Sequence, residues 1–406
     1  MHRQKTRTIC FCNSNIPWGG GEAWHLNAAL SFAARGWRVF LLCHPAGELH
    51  KRAAEHQEIT LIPLRLGRLS FLNPLLLLRL FRFFQRESVD AVIMNLPADV
   101  KVAGPAAQKA GVPHIVYRRG SALPVRNSAT NRYLYGRVIT RLITNSQATR
   151  EQVLVNNPGL IAAEKIAVIP NGVDIEAFDA ALKSARSAAR PSVFPNTPFT
   201  IGNAGRLNRQ KGQHLVLHLG TRLLEAGIDC RVVIAGEGER EAELKALAQR
   251  LGLGDKARFC GFMRDLSPFW LSIDVFVLTS LWEGFGNVVI EAGLAEKPVL
   301  AFAVSNLPEL IQEGTAGDGA NVGNGLLFPL PEGLESAALE GLGRSHAAFS
   351  GDLNGPWSAA LAGMAAALVE LAGNAEKREA MGRAGRRLAL RYTQAGCMDA
   401  VEALLR

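Results

Sequence analysis

Short apolar segments alternate with helical patterns along most of this 406-residue chain. In the first half these segments are RTICFCNSN, WRVFLLCH, DAVIMNL, HIVYRRG, RLITNS and IAVIPNG. In the second half they are FTIGNAGRL, CRVVIAGEG, ARFCGF, DVFVLTS and KPVLAFA. Apolar strands separated by helices are typical of parallel sheets that are covered on both faces. The alternation therefore predicts an α/β fold with two doubly wound, Rossmann-like halves and a cleft between them, with ligands at the carboxyl ends of the strands.

The length of the chain predicts two domains, because 406 residues exceed one ordinary core. The segment AALKSARSAARPSVFPNTP is rich in Ala, Ser, Arg and Pro, and it predicts a linker at roughly 180–197. We expect an N-terminal Rossmann-like domain at 1–185 and a second Rossmann-like domain at 197–375. The closing helices at 376–406 are expected to pack back toward the N-terminal domain. The Gly-rich stretch from Glu313 to Pro356 predicts a loop-rich elaboration.

Composition narrows the class of protein. The six cysteines form no CxxC pair, which favours reduced thiols in a cytosolic protein. The sequence contains no run of 18 or more apolar residues, so no membrane span is predicted. The apolar stretch near the N-terminus is too short for a signal peptide. A net charge of +9 suits nucleic acid, a membrane surface or an acidic substrate. No helix-turn-helix, RRM or zinc-finger pattern supports nucleic acid.

The segment RLGRLSFLNPLLLLRLFRFFQRESVD mixes leucines and phenylalanines with arginines. Asn73 is predicted to cap a helix that begins at Pro74. The arginines that interrupt or precede the apolar face are Arg65, Arg68, Arg79, Arg82 and Arg86. Two interpretations stay open: a peripheral contact of 65–86 with an anionic membrane surface, or a helix packed on the sheet with snorkelling arginine stems.

Two cations flank a polar loop in the run IGNAGRLNRQKGQHLVL. Arg206 and Lys211 follow a strand that ends near Ala204, and a helix is predicted to begin near Gln213. Two cations beside a helix N-terminus can clamp a diphosphate, with Arg binding bidentately and Lys acting as a point charge. The alternative is a pair of solvated loop cations.

Two glycine-rich turns also follow predicted strands, and each leaves room for a ligand. They contain Gly19, Gly20 and Gly21 in one case, and Gly236 and Gly238 in the other. Glu22, in the first turn of the helix after Gly21, would complement the helix dipole. The second turn is not a dinucleotide fingerprint, because its third glycine would fall at Glu241. A dehydrogenase is therefore not expected. For each of the two glycine-rich turns, the alternative to a ligand-binding turn is a plain strand-to-helix turn.

Two carboxylates eight residues apart, Glu283 and Glu291, lie in the run WEGFGNVVIEAGLAEKPV. A Gly-Phe-Gly turn follows the first, and a helical pattern carries the second. Such a turn exposes backbone N–H groups to an anion, and a carboxylate further along the helix can accept hydrogen bonds from vicinal hydroxyls of a sugar.

Together these blocks resemble glycosyltransferase family four, the retaining nucleotide-sugar transferases of the GT-B fold. The resemblance rests on the Glu-x7-Glu spacing, the "GRL…KG" block, the opening PWGGGEAWHLNAALSFAARGWRV and the segment PNGVD. It implies transfer of a sugar from a nucleotide diphosphate, most often UDP, to a hydroxyl of a glycan or glycolipid acceptor. Lipopolysaccharide or other cell-envelope polysaccharide synthesis is the expected setting.

The resemblance also implies that the domain at 1–185 binds the acceptor and the domain at 197–375 binds the nucleotide sugar, and it implies roles for individual residues. Arg206 and Lys211 bind the pyrophosphate of the donor, Glu283 faces the transferred sugar, and Glu291 binds the ribose hydroxyls. Arg206, Lys211 and Glu283 are the expected catalytic residues. The other implied donor-binding positions are Gly19, Gly20, Gly21, Asn171, Gly236, Gly238, Gly284, Phe285, Gly286, Asn287 and Val288.

Several positions depart from the family pattern. Many members carry a His after the strand that here ends in Arg118 and Arg119. Arginine can donate to a sugar hydroxyl but cannot shuttle a proton at neutral pH, so no catalytic His is assigned. Arg118, Arg119 and His25 are candidates for acceptor or sugar contact. In SNLPELI, Ser305 and Asn306 replace the usual glycines, so Asn306 and Glu309 are not assigned as contacts.

No metal or cofactor is expected. The chain has no Asp-x-Asp motif, so Arg206 and Lys211 would neutralise the diphosphate. His214 and His218 are four residues apart, but no third metal ligand is evident. The expected location is cytoplasmic, with peripheral contact to the inner face of the cytoplasmic membrane. Two other functions stay open: a nucleotide-sugar epimerase of the same fold, and a catalytically silent membrane or assembly module.

Overall fold

The computed structural model describes residues 6–67, 69–188, 199–313, 323–331 and 357–406. The chain divides into two compact units. The first unit comprises Met1–Gly172 and Gln394–Arg406, and the second comprises Val173–Thr393.

The first unit is built on a parallel sheet in which seven described strands run in the order β3-β2-β1-β4-β5-β6-β7. Its elements are β1 Thr8–Asn13, α1 Gly20–Ala34, β2 Arg38–Cys43, α2 Glu48–Ala53, β3 Ile59–Pro63, α3 Pro74–Arg86, β4 Ala91–Met94, α4 Pro97–Lys109, β5 His114–Arg119, α5 Ala129–Tyr133, β6 Arg141–Thr144, α6 Gln147–Leu154 and β7 Ile166–Val168. All six residues of β1 are buried, because helices cover both faces of the sheet at its centre.

The second unit carries a parallel sheet in which six described strands run in the order β10-β9-β8-β11-β12-β13. Its elements are α7 Ile175–Ser187, β8 Phe199–Ala204, α8 Gln213–Glu225, β9 Cys230–Ala235, α9 Glu241–Arg250, β10 Ala257–Phe259, α10 Ser267–Ser272, β11 Val275–Leu278, α11 Asn287–Leu294, β12 Val299–Phe302, α12 Leu307–Leu310, β13 Gly325–Phe328, α13 Trp357–Gly373 and α14 Ala375–Ala389. The prediction of two doubly wound α/β sheets is therefore confirmed.

The predicted linker is partly wrong. Its first residues, up to Ser187, belong to helix α7, while 189–198 lie outside the described residues. Asp174 caps this helix, since its carboxylate accepts a hydrogen bond from the Ala177 N–H at 2.9 Å. The alanines that suggested a linker are also the best helix formers, and the N-cap stabilises the first turn of the helix.

Two strands were not predicted, β3 and β13. The second lies inside the stretch Glu313–Pro356 that was expected to be loop-rich, most of which lies outside the described residues. The units also divide at a different place from the predicted domains, between Gly172 and Val173, and helix α14 belongs to the second unit.

The segment after Thr393 completes the first unit with helix α15, Gln394–Ala403. Arg35 forms ion pairs with Asp399 at 2.8 Å and with Glu402 at 2.9 Å. The indole N–H of Trp37 donates to Glu402 at 3.2 Å. These contacts hold α15 against α1 and the turn that follows it.

Helix α3 begins as predicted. The side-chain oxygen of Asn73 accepts from the N–H groups of Leu75 and Leu76, both at 3.1 Å, and Pro74 is the first helical residue. Arg68, which precedes the helix, lies outside the described residues. In the described ranges no single helix is long and apolar enough to cross a bilayer. Helices α13 and α14, bent by 107° at their junction, are together long and apolar enough by length and composition alone.

Glycines allow α14 to pack closely against α11. A Cβ on Gly382 would lie 2.1 Å from the carbonyl oxygen of Glu296, and a Cβ on Gly293 would lie 2.8 Å from the carbonyl oxygen of Gly385. Both obstacles are backbone atoms, which cannot rotate away. The position of α11, the helix that carries Glu291, therefore depends on small residues at this contact.

We expect Gly382→Ala to destabilise the protein by roughly 1–3 kcal/mol, because the added methyl group overpacks a backbone contact. Gly373→Ala is the matched control, since a Cβ at Gly373 meets nothing within 4 Å. Alanine favours helix over glycine by about 1 kcal/mol, so the control should be neutral or stabilising. Urea unfolding measures both, and equal midpoints for the two variants would contradict the tight packing of α14.

Candidate functional site

The loop after β8 carries the predicted diphosphate-binding cations. The side chain of Asn208 accepts from the Lys211 N–H at 3.2 Å and so caps a short 3-10 turn over Arg209–Lys211. Gly212 then adopts a left-handed conformation, with φ at 62°, and helix α8 begins at the next residue. A Cβ on Gly212 would lie 2.3 Å from the carbonyl oxygen of Thr279, so only glycine fits here.

Hydrogen bonds join this loop to the loop after β11. The Thr279 hydroxyl donates to the carbonyl of Gly212 at 2.9 Å. The side-chain amide of Gln210 donates to the carbonyl of Trp282 at 2.9 Å, and the N–H of Leu281 donates to the carbonyl of Gln210 at 2.8 Å. The two loops follow neighbouring strands of the sheet, so parallel topology brings them to the same edge.

Lys211 and Glu283 form an ion pair at this edge. Their Nζ and Oε1 atoms are 2.6 Å apart, and the two side chains are 17% and 5% exposed. A carboxylate this deeply buried is stable only with a counter-charge or hydrogen bonds. The structure thus brings together two of the three predicted catalytic residues. For the third, Arg206, the backbone carbonyl accepts from the Gln213 side chain at 3.0 Å.

Ser305 and Asn306 support the loop that contains Glu283, a role that the sequence did not reveal. The Glu283 N–H donates to the Ser305 hydroxyl at 3.0 Å, and the buried Asn306 amide donates to the carbonyl of Phe285 at 2.7 Å. Ser305 has a φ of 51°. Serine and asparagine thus stand where the family pattern has glycines, and both side chains form hydrogen bonds with the backbone of the neighbouring loop. Their readiness to hydrogen-bond backbone was the available signal.

Helix α11 begins after the predicted Gly-Phe-Gly turn. Gly286 has a φ of 80°, a left-handed conformation that favours glycine, and Asn287 and Val288 form the first turn of the helix. Glu291 lies one turn further along. Desolvation by burial raises the pKa of its carboxyl to about 7.

Gly236 and Gly238 lie against the loop after β8. A Cβ on Gly236 would lie 2.0 Å from the carbonyl oxygen of Gly205, and a Cβ on Gly238 would lie 2.4 Å from that of Leu207. A side chain at either position would therefore collide with the backbone of this loop, so both positions require glycine. Contact of these two glycines with the donor stays a prediction.

The first unit contains a separate buried polar cluster around Arg118. Its guanidinium donates to the side-chain oxygen of Asn171 at 2.7 Å and to that of Asn95 at 3.4 Å, and it lies 4.8 Å from the centroid of the Trp24 ring. Burial lowers the pKa of Arg118 to about 10, so the group stays charged at neutral pH. The predicted positions Arg118 and Asn171 therefore contact each other.

The glycine turn before α1 adjoins the same cluster. Helix α1 begins at Gly20, after Gly19, and a Cβ on Gly21 would lie 2.8 Å from the Asn95 side chain. Glu22 is buried and accepts from the side chains of Asn13 at 3.2 Å and Asn15 at 3.0 Å. Glu22 therefore ties the end of β1 to the first turn of α1, beyond the dipole role that was expected.

His25 and Arg119 are both buried. His25 Nδ1 lies 3.0 Å from the carbonyl of Gly21, and burial together with the Arg118 charge lowers its pKa to about 3, so the ring is neutral. The Arg119 guanidinium donates to the Leu123 carbonyl at 2.5 Å and to the Tyr117 hydroxyl at 3.3 Å. Contact of either residue with an acceptor stays a prediction.

Comparisons with known proteins identify the family. A family model described as "Glycosyltransferase Family 4" matches residues 18–177, and one described as "Glycosyl transferases group 1" matches residues 185–333. The two models together span most of both units. The chain therefore belongs to the group 1, family four glycosyltransferases.

Among relatives, an Escherichia coli UDP-Gal:alpha-D-GlcNAc-diphosphoundecaprenol alpha-1,3-galactosyltransferase is 26% identical over 281 residues, which are 66% of this chain and 71% of that protein. A D-inositol 3-phosphate glycosyltransferase from Corynebacterium urealyticum is 34% identical over 163 residues, 38% of each chain. The chain thus spans less than half the length of some curated relatives it matches. The crystal structure of Anabaena HepE with UDP-glucose has a TM-score of 0.74 at 21% identity and covers 98% of this chain and 99% of its own, which shows the GT-B fold.

We expect Lys211→Met to destabilise the protein by roughly 3–5 kcal/mol, because it leaves the buried carboxylate of Glu283 unpaired. Adding Glu283→Gln should recover most of this loss, since a neutral amide needs no counter-charge. Thermal unfolding of the two single variants and the double variant measures the coupling. If Lys211→Met melts at the temperature of the unsubstituted protein, the pair does not hold the buried charge.

Glu291 should make stability depend on pH. Its pKa is raised in the folded protein, so folding holds a proton that the unfolded chain releases, and the folded state loses stability as pH rises from about 4.5 through about 7. Glu291→Gln removes that titration. The melting temperature of the variant minus that of the unsubstituted protein should therefore increase from pH 5 to pH 8. A difference that does not change with pH would show that Glu291 titrates normally.

Proposed function

We propose that this protein is a retaining glycosyltransferase that moves a sugar from a nucleotide-diphosphate donor to a hydroxyl of a glycan or glycolipid. One observation carries the proposal: the buried Lys211–Glu283 pair lies where the loop before α8 meets the loop before α11. Family membership supports the reaction type. UDP is the proposed nucleotide, because the E. coli relative is named for UDP-Gal and the HepE crystal structure holds UDP-glucose.

The geometry suits a donor that carries two negative phosphates. A diphosphate would compete with Glu283 for the Lys211 ammonium and would meet the N-terminal N–H groups of α8 and α11. Lys211, together with Arg206, would then stabilise the charge that develops on the leaving diphosphate. These cations take the place of a metal in the proposal, which needs no cofactor.

The same exchange would free Glu283. Once the diphosphate holds Lys211, the Glu283 carboxylate can accept a hydrogen bond from the transferred sugar. The leaving diphosphate stays on the same face of the sugar as the incoming hydroxyl and takes its proton, so configuration is retained. Glu291 would accept from the ribose hydroxyls, and a donor that supplies these hydroxyls compensates the cost of its buried charge.

We further propose that the acceptor is a membrane-linked glycolipid of the cell envelope, such as a lipopolysaccharide core, reached from the cytoplasmic side of the inner membrane. The net charge of +9 suits an anionic acceptor and an anionic surface. The E. coli relative is named for a lipid-diphosphate acceptor. The apolar and basic segment 65–86 is the proposed membrane contact.

Binding of nucleotide sugars tests the donor site. We expect saturable calorimetric binding of one of the UDP, GDP or ADP sugars, weakened by roughly tenfold or more in Lys211→Ala, because a charge-assisted hydrogen bond contributes about 1.5–3 kcal/mol. Glu291→Ala should weaken it as well. Lys245→Ala is the control: it removes an ammonium of the same unit that is paired with Glu241 at 2.7 Å, outside the proposed site.

The outcomes also separate the alternatives. Unchanged affinity in Lys211→Ala would remove the residue from the donor site. Conversion of the donor to a different sugar without any acceptor would identify an epimerase. Absence of binding by every nucleotide sugar tested would favour a silent assembly module.

A further inference from the structure

The first unit carries a concentrated apolar surface on the segment before and within α3. Five of the ten large apolar side chains that are exposed in the described part of the chain lie within residues 69–78. They are Leu69, Phe71, Leu72, Leu75 and Leu78, with exposed fractions between 37% and 76%. Single exposed leucines need no explanation, but a cluster of this kind marks a surface that meets an apolar partner.

A pocket of about 420 Å³ lies beside this surface, within the size range of small-molecule sites. Leu42, Ile62, Leu64, Leu76 and Leu80 form its apolar wall. Arg65 and Arg79 also line it, and both residues are exposed. The pocket therefore combines an apolar interior with two cations.

Three of the four described arginines of this region have no acidic partner among the described residues. Arg65, Arg79 and Arg82 take part in no ion pair there, whereas Arg86 pairs with Glu87 at 2.7 Å. Among the described residues that line the pocket, none is acidic. An occupant that complements this lining must be apolar over most of its length and negatively charged at one end.

The position of the pocket connects it with the proposed acceptor side of the protein. β2 and β3 run parallel with Cys43 opposite Pro63, and β1 runs parallel to β2 with Asn13 opposite Cys43. The pocket, lined by residues at the ends of β2 and β3, thus lies at the same sheet edge as the loop from β1 to Gly19. A molecule held in the pocket could extend along this edge toward the glycine turn.

We propose that this pocket binds one anionic lipid, with its phosphate at Arg65 and Arg79 and the start of its hydrocarbon chain against Leu64, Leu76 and Leu80. The exposed leucines of 69–78 would enter the hydrocarbon boundary of the membrane from which that lipid comes. The inference rests on the proposed transferase function in so far as the lipid is the acceptor's anchor. Binding of the lipid itself is independent of any donor.

The test uses the full-length protein and a short-chain phosphatidylglycerol below its micelle concentration, followed by calorimetry. We expect saturable binding of one molecule per chain. The double variant Arg65→Gln/Arg79→Gln should bind roughly 30-fold more weakly, because each basic residue contributes roughly fivefold to anionic lipid binding. Ile62→Trp, which fills the pocket and keeps both arginines, should also lose the monomeric lipid.

Arg82→Gln/Arg86→Gln is the matched control, because it removes two arginines of the same helix that do not line the pocket. It should retain binding of the monomeric lipid within about twofold. Equal losses in both double variants would overturn the pocket and leave only general charge attraction. Competition by inorganic phosphate as strong as that of the lipid would overturn the lipid and indicate a free-anion site.

Vesicles test the apolar surface separately. Leu72→Ser/Leu75→Ser should release the protein from phosphatidylglycerol vesicles while binding of monomeric lipid persists. Vesicles of phosphatidylcholine should bind weakly, and equal binding to both compositions would contradict the role of the arginines. Calorimetry with the nucleotide sugar, run on the same variants, should be unchanged. Lipid binding without any donor binding would therefore refute the proposed function and retain this inference.

Discussion

The buried ion pair between Lys211 and Glu283 is the constraint on which the second unit's site depends. Both residues lie in loops, yet the pair is almost fully shielded from water. Such a pair costs desolvation energy and is stable only if its surroundings hold both groups in place. Thr279 and Gln210 hold the two loops together by donating hydrogen bonds to backbone carbonyls, and the Ser305 hydroxyl accepts from the Glu283 N–H; the glycine at 212 lets the two loops approach closely enough. A site of this kind exists before any ligand arrives.

The first unit holds a buried charge in a different way. No described carboxylate lies within ion-pair distance of Arg118, which instead donates to two asparagine side chains and lies over a tryptophan ring. Amide oxygens and an aromatic face stabilise a guanidinium without neutralising it. The positive potential of Arg118 is therefore available to its surroundings, which is one reason why His25 beside it stays neutral.

The sequence predicted the doubly wound parallel sheets, because buried parallel strands have a strong apolar signature. It also predicted the sheet edge where functional residues lie, because the carboxyl ends of parallel strands meet at one edge. It placed Lys211 and Glu283 in the same site by resemblance, but 72 positions separate them and their pairing was not foreseen. Strand β3 was missed because ITLIP is short and half exposed, and the linker was misplaced because alanine-rich sequence suits both a linker and a helix. The support from Ser305 and Asn306 depends on contacts with residues about 20 positions earlier, which local pattern does not encode.

Helix α15 has a consequence for synthesis of the protein. It completes the first unit through Asp399 and Glu402, yet the whole of Val173–Thr393 precedes it in the chain. After the ribosome has made β1 to β7, it must therefore translate the entire second unit before helix α15 can pack against α1. During that interval Trp37 and the apolar residues beneath α15 are open to solvent, and the emerging chain has a period in which its first-made part is the last to be finished.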